Sequence, residues 1–122
     1  MQKVLGIGGL FFRAEQPESL SKWYETHLGI APSPTSEGQE PWQQAAGPTV
    51  FAPFKKDSDY FGKPSQMWMV NFRVADLAAM VAQLRAADIE VDGPQIYSYG
   101  SFARLHDPEG NPIELWEDAP GQ

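Results

Sequence analysis

The fold is decided by residues 106–117, HDPEGNPIELWE, which read as a tight turn followed by a β-strand. Pro108 suits the second position of a turn, and Gly110 and Asn111 are residue types that tolerate a positive φ angle. Beyond the turn, side chains alternate in character in the way that is typical of a strand. We therefore predict a strand from Pro112 to Glu117.

Alternation along this strand places Ile113 and Leu115 on one face and Glu114 and Trp116 on the other. An acidic residue between apolar neighbours has two explanations. On an outer face Glu114 is simply solvated. Inside a concave sheet it is a ligand for a metal ion or a substrate. The strand by itself leaves both open.

Length and composition indicate one globular domain of 122 residues, with 42% hydrophobic and 12% aromatic residues. The absence of cysteine excludes disulfides, thiolate metal sites and cysteine nucleophiles. Nine basic and sixteen acidic residues give a net charge of -7, which disfavours nucleic acid and anionic lipid as partners. With neither a membrane-length apolar run nor a signal-peptide pattern, we expect a cytoplasmic protein. Its expected partners are small molecules or a second copy of the chain.

The first half begins with an apolar, glycine-rich segment, Val4 to Ala14, which we predict to be a strand. A helix starts at Pro17 and ends at Gly29, because proline favours the first helical position and glycine the C-terminal cap. Proline-rich sequence then permits a short edge strand around Trp42 to Ala46 and another from Thr49 to Phe54. One face of the helix carries an apolar stripe with a histidine at its rim: Leu20, Trp23, Tyr24, His27 and Leu28.

The second half repeats this order. We predict a strand over Met67 to Val74, and a helix that Asp76 caps. One face of this helix is apolar, and we expect that face to pack into the core. Phe72-Arg73 follows Phe12-Arg13 after 60 residues, which indicates an internal repeat. The remaining predicted strands are Ile89 to Tyr97, Ser101 to His106 and Pro112 to Glu117.

These elements predict a single domain over residues 1–122, built from two modules of the same design. The first module spans residues 1–54 and the second spans residues 67–122. A polar segment with Gly62 and Pro64, residues 55–66, connects them. Two such units are expected to bury a shared core.

The motifs in these modules resemble those of the vicinal oxygen chelate superfamily, which includes glyoxalases, bleomycin-resistance proteins and extradiol dioxygenases. The resemblance covers nearly the whole chain and implies an α+β fold of two βαβββ modules, whose curled mixed sheets enclose a cleft. It rests on four segments: Gly6-Ile7-Gly8, Trp23 to Gly29, Phe72 to Leu77, and Asp107 to Leu115.

In metal-dependent members of the superfamily, one residue from each of four strands binds a divalent ion. The resemblance places these four positions on Gly9, Phe51, Met69 and Glu114. Only Glu114 is a residue type that binds hard divalent ions, whereas a catalytic metal normally needs about three such ligands. We therefore expect no cofactor and no metal. His106, one strand away, is a candidate for an additional ligand.

The same register assigns one face of each strand to the cleft and the other to the core beneath the helices. The cleft face is aromatic and apolar with a few polar groups, a composition that is typical of small-molecule pockets. The arginines on it have the alternative of pairing with surface carboxylates. The predicted ligand-binding residues are Phe11, Arg13, Phe51, Met69, Asn71, Arg73, Phe102, His106, Glu114 and Trp116, with Tyr97 and Tyr99 nearby.

Three functions are compatible with this cleft. The first is metal-free binding of an aromatic or carbonyl-containing molecule by stacking on Phe11, Phe51 and Trp116. The second is a lyase, isomerase or dioxygenase in which Glu114 is a general base or a remnant metal ligand. The third is a structural or regulatory module without a ligand. The aromatic cleft favours the first, and whether any reaction is catalysed stays open. Relatives of this size generally form dimers, so we expect a homodimer.

Overall fold

Two helices and a four-stranded sheet form the regular structure in residues 1–119, which the computed structural model describes. No helix in this range is long and apolar enough to cross a membrane. The elements in chain order are α1 Pro17–Leu28, β1 Val70–Arg73, α2 Leu77–Ala86, β2 Asp92–Tyr97, β3 Gly100–His106 and β4 Pro112–Asp118.

The sheet is open and mixed, with the strand order β1-β4-β3-β2. Strand β1 pairs in parallel with β4, and the chain between these two neighbours runs through α2, β2 and β3. Strands β2, β3 and β4 form an antiparallel meander. Strand β4 therefore lies inside the sheet with β1 and β3 on either side, so its side chains have neighbours on both flanks.

Both predicted helices are confirmed, and each has the end signals that its sequence suggested. Helix α1 begins at Pro17 and ends at Gly29, whose left-handed backbone (φ 73°) lets its N–H bond to the Glu25 carbonyl. At α2, Asp76 Oδ1 accepts the N–H of Ala79 at 3.0 Å.

Strand β4 also stabilises the start of α2. The N–H of Leu77 is one of the helix donors that lack a partner within the helix. It bonds to Oε1 of Glu117 at 2.7 Å. Glu117, near the end of β4, thus holds the start of α2 against the sheet.

The core lies between the helices and one face of the sheet. Ile113 and Leu115 are 0% and 1% exposed, so the face of β4 that was predicted to be buried is buried. Burying a side chain of this kind contributes about 1.5–3 kcal/mol. The core consists of Leu20, Tyr24, Leu77, Val81, Leu84, Val91, Ala103, Leu105, Ile113 and Leu115.

Asp107 is a charged residue inside this structure, with 4% of its surface exposed. Its Oδ1 accepts the backbone N–H groups of Glu109 at 2.9 Å and Asn111 at 3.0 Å, which fold the predicted turn. Its Oδ2 accepts the Asn111 side-chain amide at 2.8 Å and the Tyr24 hydroxyl at 2.6 Å. Burial, and then the bond to Asp107, raise the pKa of Tyr24 above its usual range. Four donors thus compensate the buried charge.

The first half differs from its prediction, since no strand forms in residues 1–16 or 29–69 of the described chain. The strands predicted over residues 4–14, 42–46 and 49–54 are irregular here, and the one predicted over residues 67–74 is shortened to β1. A strand needs a neighbouring backbone to satisfy its N–H and C=O groups. These segments have no such neighbour within residues 1–119, and Phe11 and Phe51 are 94% and 84% exposed. The division into two modules therefore stays a prediction.

The bond between Tyr24 and Asp107 predicts a specific stability effect. Tyr24→Phe keeps the ring but removes one donor from a buried carboxylate, so the free energy of unfolding should fall by about 1–3 kcal/mol. Urea denaturation at neutral pH measures this change. The matched control is Tyr99→Phe, because Tyr99 is 64% exposed. It should change the free energy by less than about 0.5 kcal/mol. Equal losses in the two variants would contradict the role assigned to Asp107.

Candidate functional site

The sheet face opposite the core brings polar and aromatic side chains together in two rows. Residues that are paired across neighbouring strands have adjacent side chains on one face. In the first row Glu114 on β4 lies between Asn71 on β1 and Arg104 on β3. In the second row Trp116 lies between Arg73 on β1 and Phe102 on β3. We call this surface the open face.

Both carboxylate oxygens of Glu114 accept hydrogen bonds. The side-chain amide of Asn71 donates to Oε1 at 2.7 Å, and the hydroxyl of Tyr60 donates to Oε2. Glu114 is half-buried, so these bonds replace part of the solvation that the charge loses. Each oxygen of Glu114 thus already accepts one hydrogen bond from a neighbouring side chain.

Tyr60 reaches the open face from the segment that precedes β1. Its backbone carbonyl accepts Nη2 of Arg104 at 2.7 Å, and the Arg104 guanidinium lies 4.4 Å from the centre of its ring. A cation at this distance is attracted to the face of an aromatic ring. Burial first, and then the bond to Glu114, raise the pKa of Tyr60 to about 12. Its hydroxyl is therefore a protonated donor at neutral pH.

Four aromatic rings lie beside the polar cluster that Glu114, Asn71, Tyr60 and Arg104 form. The Phe102 and Trp116 rings are nearly parallel, at 4° with centres 6.5 Å apart. Tyr97 and Tyr99 are stacked at 5.2 Å and 7°, and Phe102 lies 6.1 Å from each of them. Both tyrosines are exposed. The open face therefore presents flat aromatic surface next to a hydrogen-bonding group.

Gly100 allows Trp116 to lie close to β3. A Cβ atom at this position would be 2.8 Å from Trp116 Nε1, closer than real Cβ contacts allow, and the backbone φ angle is 149°. Within the described chain, Nε1 is buried and has no hydrogen-bond partner. A larger residue than glycine would displace the indole from its place beside Phe102.

Several predicted site residues lie on the open face. Met69 is near the polar row, with its sulfur 3.7 Å from Arg104 Nη2. His106 lies two residues beyond Arg104 on β3 and is exposed. Arg73 donates to the Ala45 carbonyl at 2.7 Å, so it holds a loop instead of pairing with a surface carboxylate. The predicted residues that the open face brings together are Met69, Asn71, Arg73, Phe102, Glu114 and Trp116.

The other predicted residues lie in the irregular first half. Phe11, Arg13 and Phe51 are exposed, and within residues 1–119 no hydrogen bond or aromatic pair joins them to the open face. Gly9 likewise has Phe11, its near neighbour in sequence, as its closest side chain. The role of these four positions in ligand binding stays a prediction.

Two residues of the site were missed in the sequence. Arg104 shares a strand face with Phe102 and His106, so alternation was a sufficient signal for it. Tyr60 had no periodic signal, because it lies in an irregular, polar segment. Only the folded chain brings it to Glu114.

The side chains present do not supply a ligand set for a divalent ion. Among residues 1–119, no three or more Asp, Glu, His or Cys side chains are grouped closely enough to hold one. Glu114 is surrounded by an amide, a phenol and a guanidinium, and the last of these repels cations. The site residues therefore do not fit the metal centre that the superfamily resemblance implies.

A depression of about 240 Å³ lies beside α2, outside the open face. Its two carboxylates, Asp76 and Glu117, already accept N–H groups from the first turn of that helix. We therefore assign them a structural role. The lining residues are Asp76, Leu77, Ala78, Pro94, Ile96, Ser101 and Glu117.

Comparison with known proteins agrees with this architecture. Residues 9–116 match the family model described as the glyoxalase-like domain. The structure of TnmS3, an antibiotic binding protein from Streptomyces sp. CB03234, is similar with a TM-score of 0.54 and 25% identity, covering 87% of this chain and 88% of that one.

Two further structures share the fold at lower identity. The virulence protein STM3117 from Salmonella typhimurium has a TM-score of 0.56 and 17% identity, covering 84% of this chain and 87% of its own. TioX from Micromonospora sp. ML1 has a TM-score of 0.52 and 14% identity, covering 87% and 90%. No protein of curated function matches the sequence significantly.

Proposed function

The chain belongs to the family of glyoxalase-like domains, and we propose that it binds a small aromatic or carbonyl-containing molecule on its open face without a metal ion. The predicted α+β fold of the glyoxalase and bleomycin-resistance type is confirmed by the family match and the similar structures. The observation that carries the proposal is the aromatic cluster of Tyr97, Tyr99, Phe102 and Trp116 directly beside the Glu114 hydrogen-bond cluster.

The aromatic cluster would supply the affinity. An aromatic pair contributes about 0.5–1.5 kcal/mol beyond the burial of its surface. Tyr97 and Tyr99 are exposed, so they offer ring surface that a planar molecule can cover. Glu114 and Asn71 would fix the orientation of the molecule, as a few polar groups do in most small-molecule sites.

The similarity to TnmS3 supports binding over catalysis. That protein is an antibiotic binding protein, and the chains align over most of their lengths. An enzymatic function would depend on Glu114 as a base. Its Oε1 accepts the Asn71 amide and its Oε2 accepts the Tyr60 hydroxyl, so a substrate would have to share Oε2 with that hydroxyl or displace it.

Ligand binding predicts a rise in thermal stability. A ligand at 100 times its dissociation constant adds about 2.7 kcal/mol. For a domain of this size the melting temperature then rises by roughly 3–7 °C. We expect this shift from members of a panel of planar aromatic compounds that includes aromatic antibiotics, measured by differential scanning fluorimetry.

Trp116→Ala should abolish the shift, since it removes the ring that lies parallel to Phe102. Trp42→Ala is the matched control and should keep it. Trp42 packs on Phe72, at 6.4 Å between ring centres, and Phe72 points away from the open face. Loss of binding in both variants, or no shift from any compound, would overturn the proposed function.

The metal-free part of the proposal has its own test. Thermal unfolding of the wild type with Mg²⁺, Mn²⁺, Fe²⁺, Ni²⁺ or Zn²⁺, and with EDTA, should leave the melting temperature unchanged within about 1 °C, because Glu114 lacks further ligands. A rise of roughly 3–7 °C that is absent in Glu114→Ala would instead establish a metal site. The lyase, isomerase or dioxygenase hypothesis would then take precedence.

We also propose that the chain is a homodimer. The irregular segments 1–13 and 42–54 expose large apolar side chains, among them Leu5, Phe11 and Phe51. A homodimer interface that covers these side chains would remove them from water. Strand β1 is an edge of the sheet and has one side unpaired in the described chain. A partner could cover both features and bring Phe11 and Phe51 to a site.

Light scattering coupled to size exclusion tests this assembly. At micromolar concentration we expect a mass twice that of the 13.5 kDa chain. Phe11→Glu should shift the mass toward the monomer, since it places a charge in the interface. A monomeric mass for the wild type would reject the dimer.

A further inference from the structure

Tyr60 fills the polar part of the open face with a side chain of the protein itself. Its hydroxyl donates to Glu114, and its ring lies 4.4 Å from the guanidinium carbon of Arg104. The same ring stacks on Phe54, at 5.7 Å between centres and 20° between planes. We propose that this position is a subsite for a phenolic hydroxyl group of the ligand, and that Tyr60 is its internal occupant, displaced when the ligand binds. This inference rests on the proposed binding function and names the chemistry of the ligand.

The hydrogen-bonding pattern selects a donor. An ionised carboxylate is only an acceptor. Asn71 satisfies Oε1 of Glu114 from within the sheet, so Oε2 is the oxygen that faces a mobile partner. A ligand that takes the place of Tyr60 must therefore bring a hydroxyl or N–H donor. A ketone or a carboxylate in this position would meet the oxygen of Glu114 without a proton between them.

The residues around the Tyr60 ring favour a donor that is attached to an aromatic ring. Arg104 favours an electron-rich ring through cation–π attraction. Phe54 adds ring stacking. A phenol combines an aromatic ring with an acidic hydroxyl donor and satisfies Arg104, Phe54 and Glu114 together. An aliphatic alcohol would satisfy Glu114 alone.

The segment that carries Tyr60 is held in place by few long-range bonds. Its one long-range backbone hydrogen bond among the described residues joins the Tyr60 carbonyl to Arg104 Nη2 at 2.7 Å. The others are local turns, Ser58 N–H to the Lys55 carbonyl at 3.0 Å and Gly62 N–H to the Asp59 carbonyl at 3.1 Å. By contrast, Glu114 and Arg104 are paired within the sheet. Segments with local bonds open at lower free energy than sheet strands do. Displacement of Tyr60 therefore leaves the sheet and its acceptor intact.

An internal occupant lowers the apparent affinity of a ligand, because only the fraction of molecules with a vacant subsite can bind. Tyr60→Phe keeps the ring and removes the bond to Glu114. The side chain at position 60 should then bind less tightly in the subsite, and the affinity for 4-methylphenol should increase. This compound is the tyrosine side chain as a free molecule. Tyr60→Ala should increase this affinity further, since it vacates the ring position as well.

The test is a ¹H–¹⁵N NMR titration that follows the side-chain amide of Asn71 in wild type and variants. Tyr60→Ala is titrated with 4-methylphenol and with toluene, which has the same ring without the hydroxyl. We expect 4-methylphenol to bind about tenfold more tightly, the ratio for one hydrogen bond to a charged acceptor. Glu114→Gln in the Tyr60→Ala background should reduce this preference, because the acceptor loses its charge.

The matched control is Trp42→Ala, which removes an aromatic ring that packs on Phe72 away from the open face and should create no preference for 4-methylphenol over toluene. Equal binding of the two compounds to Tyr60→Ala would overturn the proposal. So would a weaker affinity of Tyr60→Phe for 4-methylphenol, which would make Tyr60 a fixed wall of the site. Circular dichroism and the melting temperature verify that each variant is folded. If Tyr60→Ala does not fold, the affinity of Tyr60→Phe for 4-methylphenol decides the proposal.

The subsite and the proposed function can fail separately. If planar aromatic compounds stabilise the wild type but Tyr60→Ala shows no preference for 4-methylphenol, the phenol subsite is wrong and aromatic binding stands. If that preference is present but no planar compound stabilises the wild type, the aromatic cluster is not a ligand platform.

Discussion

The buried carboxylate of Asp107 is the constraint on which the arrangement of this domain depends. It folds the turn before β4 through two backbone N–H groups and joins that turn to α1 through Tyr24. The turn fixes the residue at which β4 begins. Since strand side chains alternate with a period of two, a slip by one residue would bury Glu114 and expose Ile113. A charge that is remote from the open face thus determines which side chains form it.

Strand β4 has separate functions on its two faces. The core face stabilises the domain through Ile113 and Leu115, and Glu117 satisfies the first turn of α2. The open face carries Glu114 and Trp116 into two rows with β1 and β3. Because β4 lies inside the sheet, both flanks hold these side chains in position. The acceptor and the aromatic cluster are therefore built on rigid backbone, whereas Tyr60 is not.

Sequence patterns predicted the parts of this structure that are determined locally. Capping residues located both helices, and turn chemistry with alternation located β4 and the faces of Glu114 and Trp116. The strands of the first half could not be established in this way, because a strand exists only where another backbone completes its hydrogen bonds. The apolar pattern of residues 4–14 is suited to a strand, but the part of the chain that the structure describes provides no partner for it. Tyr60 was beyond prediction for a related reason: its position results from contacts with Glu114 and Arg104, which are 54 and 44 residues away in sequence.

Glu114 shows how a family fold can change its chemistry at one position. The superfamily resemblance places a metal ligand there, and the corresponding positions Gly9, Phe51 and Met69 provide no oxygen or nitrogen side-chain ligand. A half-buried carboxylate without a cation must be compensated in another way. Here an amide and a phenol donate to it, so hydrogen bonds carry out the electrostatic role of the ion. A metal accepts many oxygen ligands, whereas a ligand that takes the place of the Tyr60 hydroxyl on Glu114 must itself be a hydrogen-bond donor. In the proposed binding event, the hydroxyl of the ligand replaces the hydroxyl of Tyr60 on Glu114. The site would therefore select ligands that carry a phenol, the same group that Tyr60 provides.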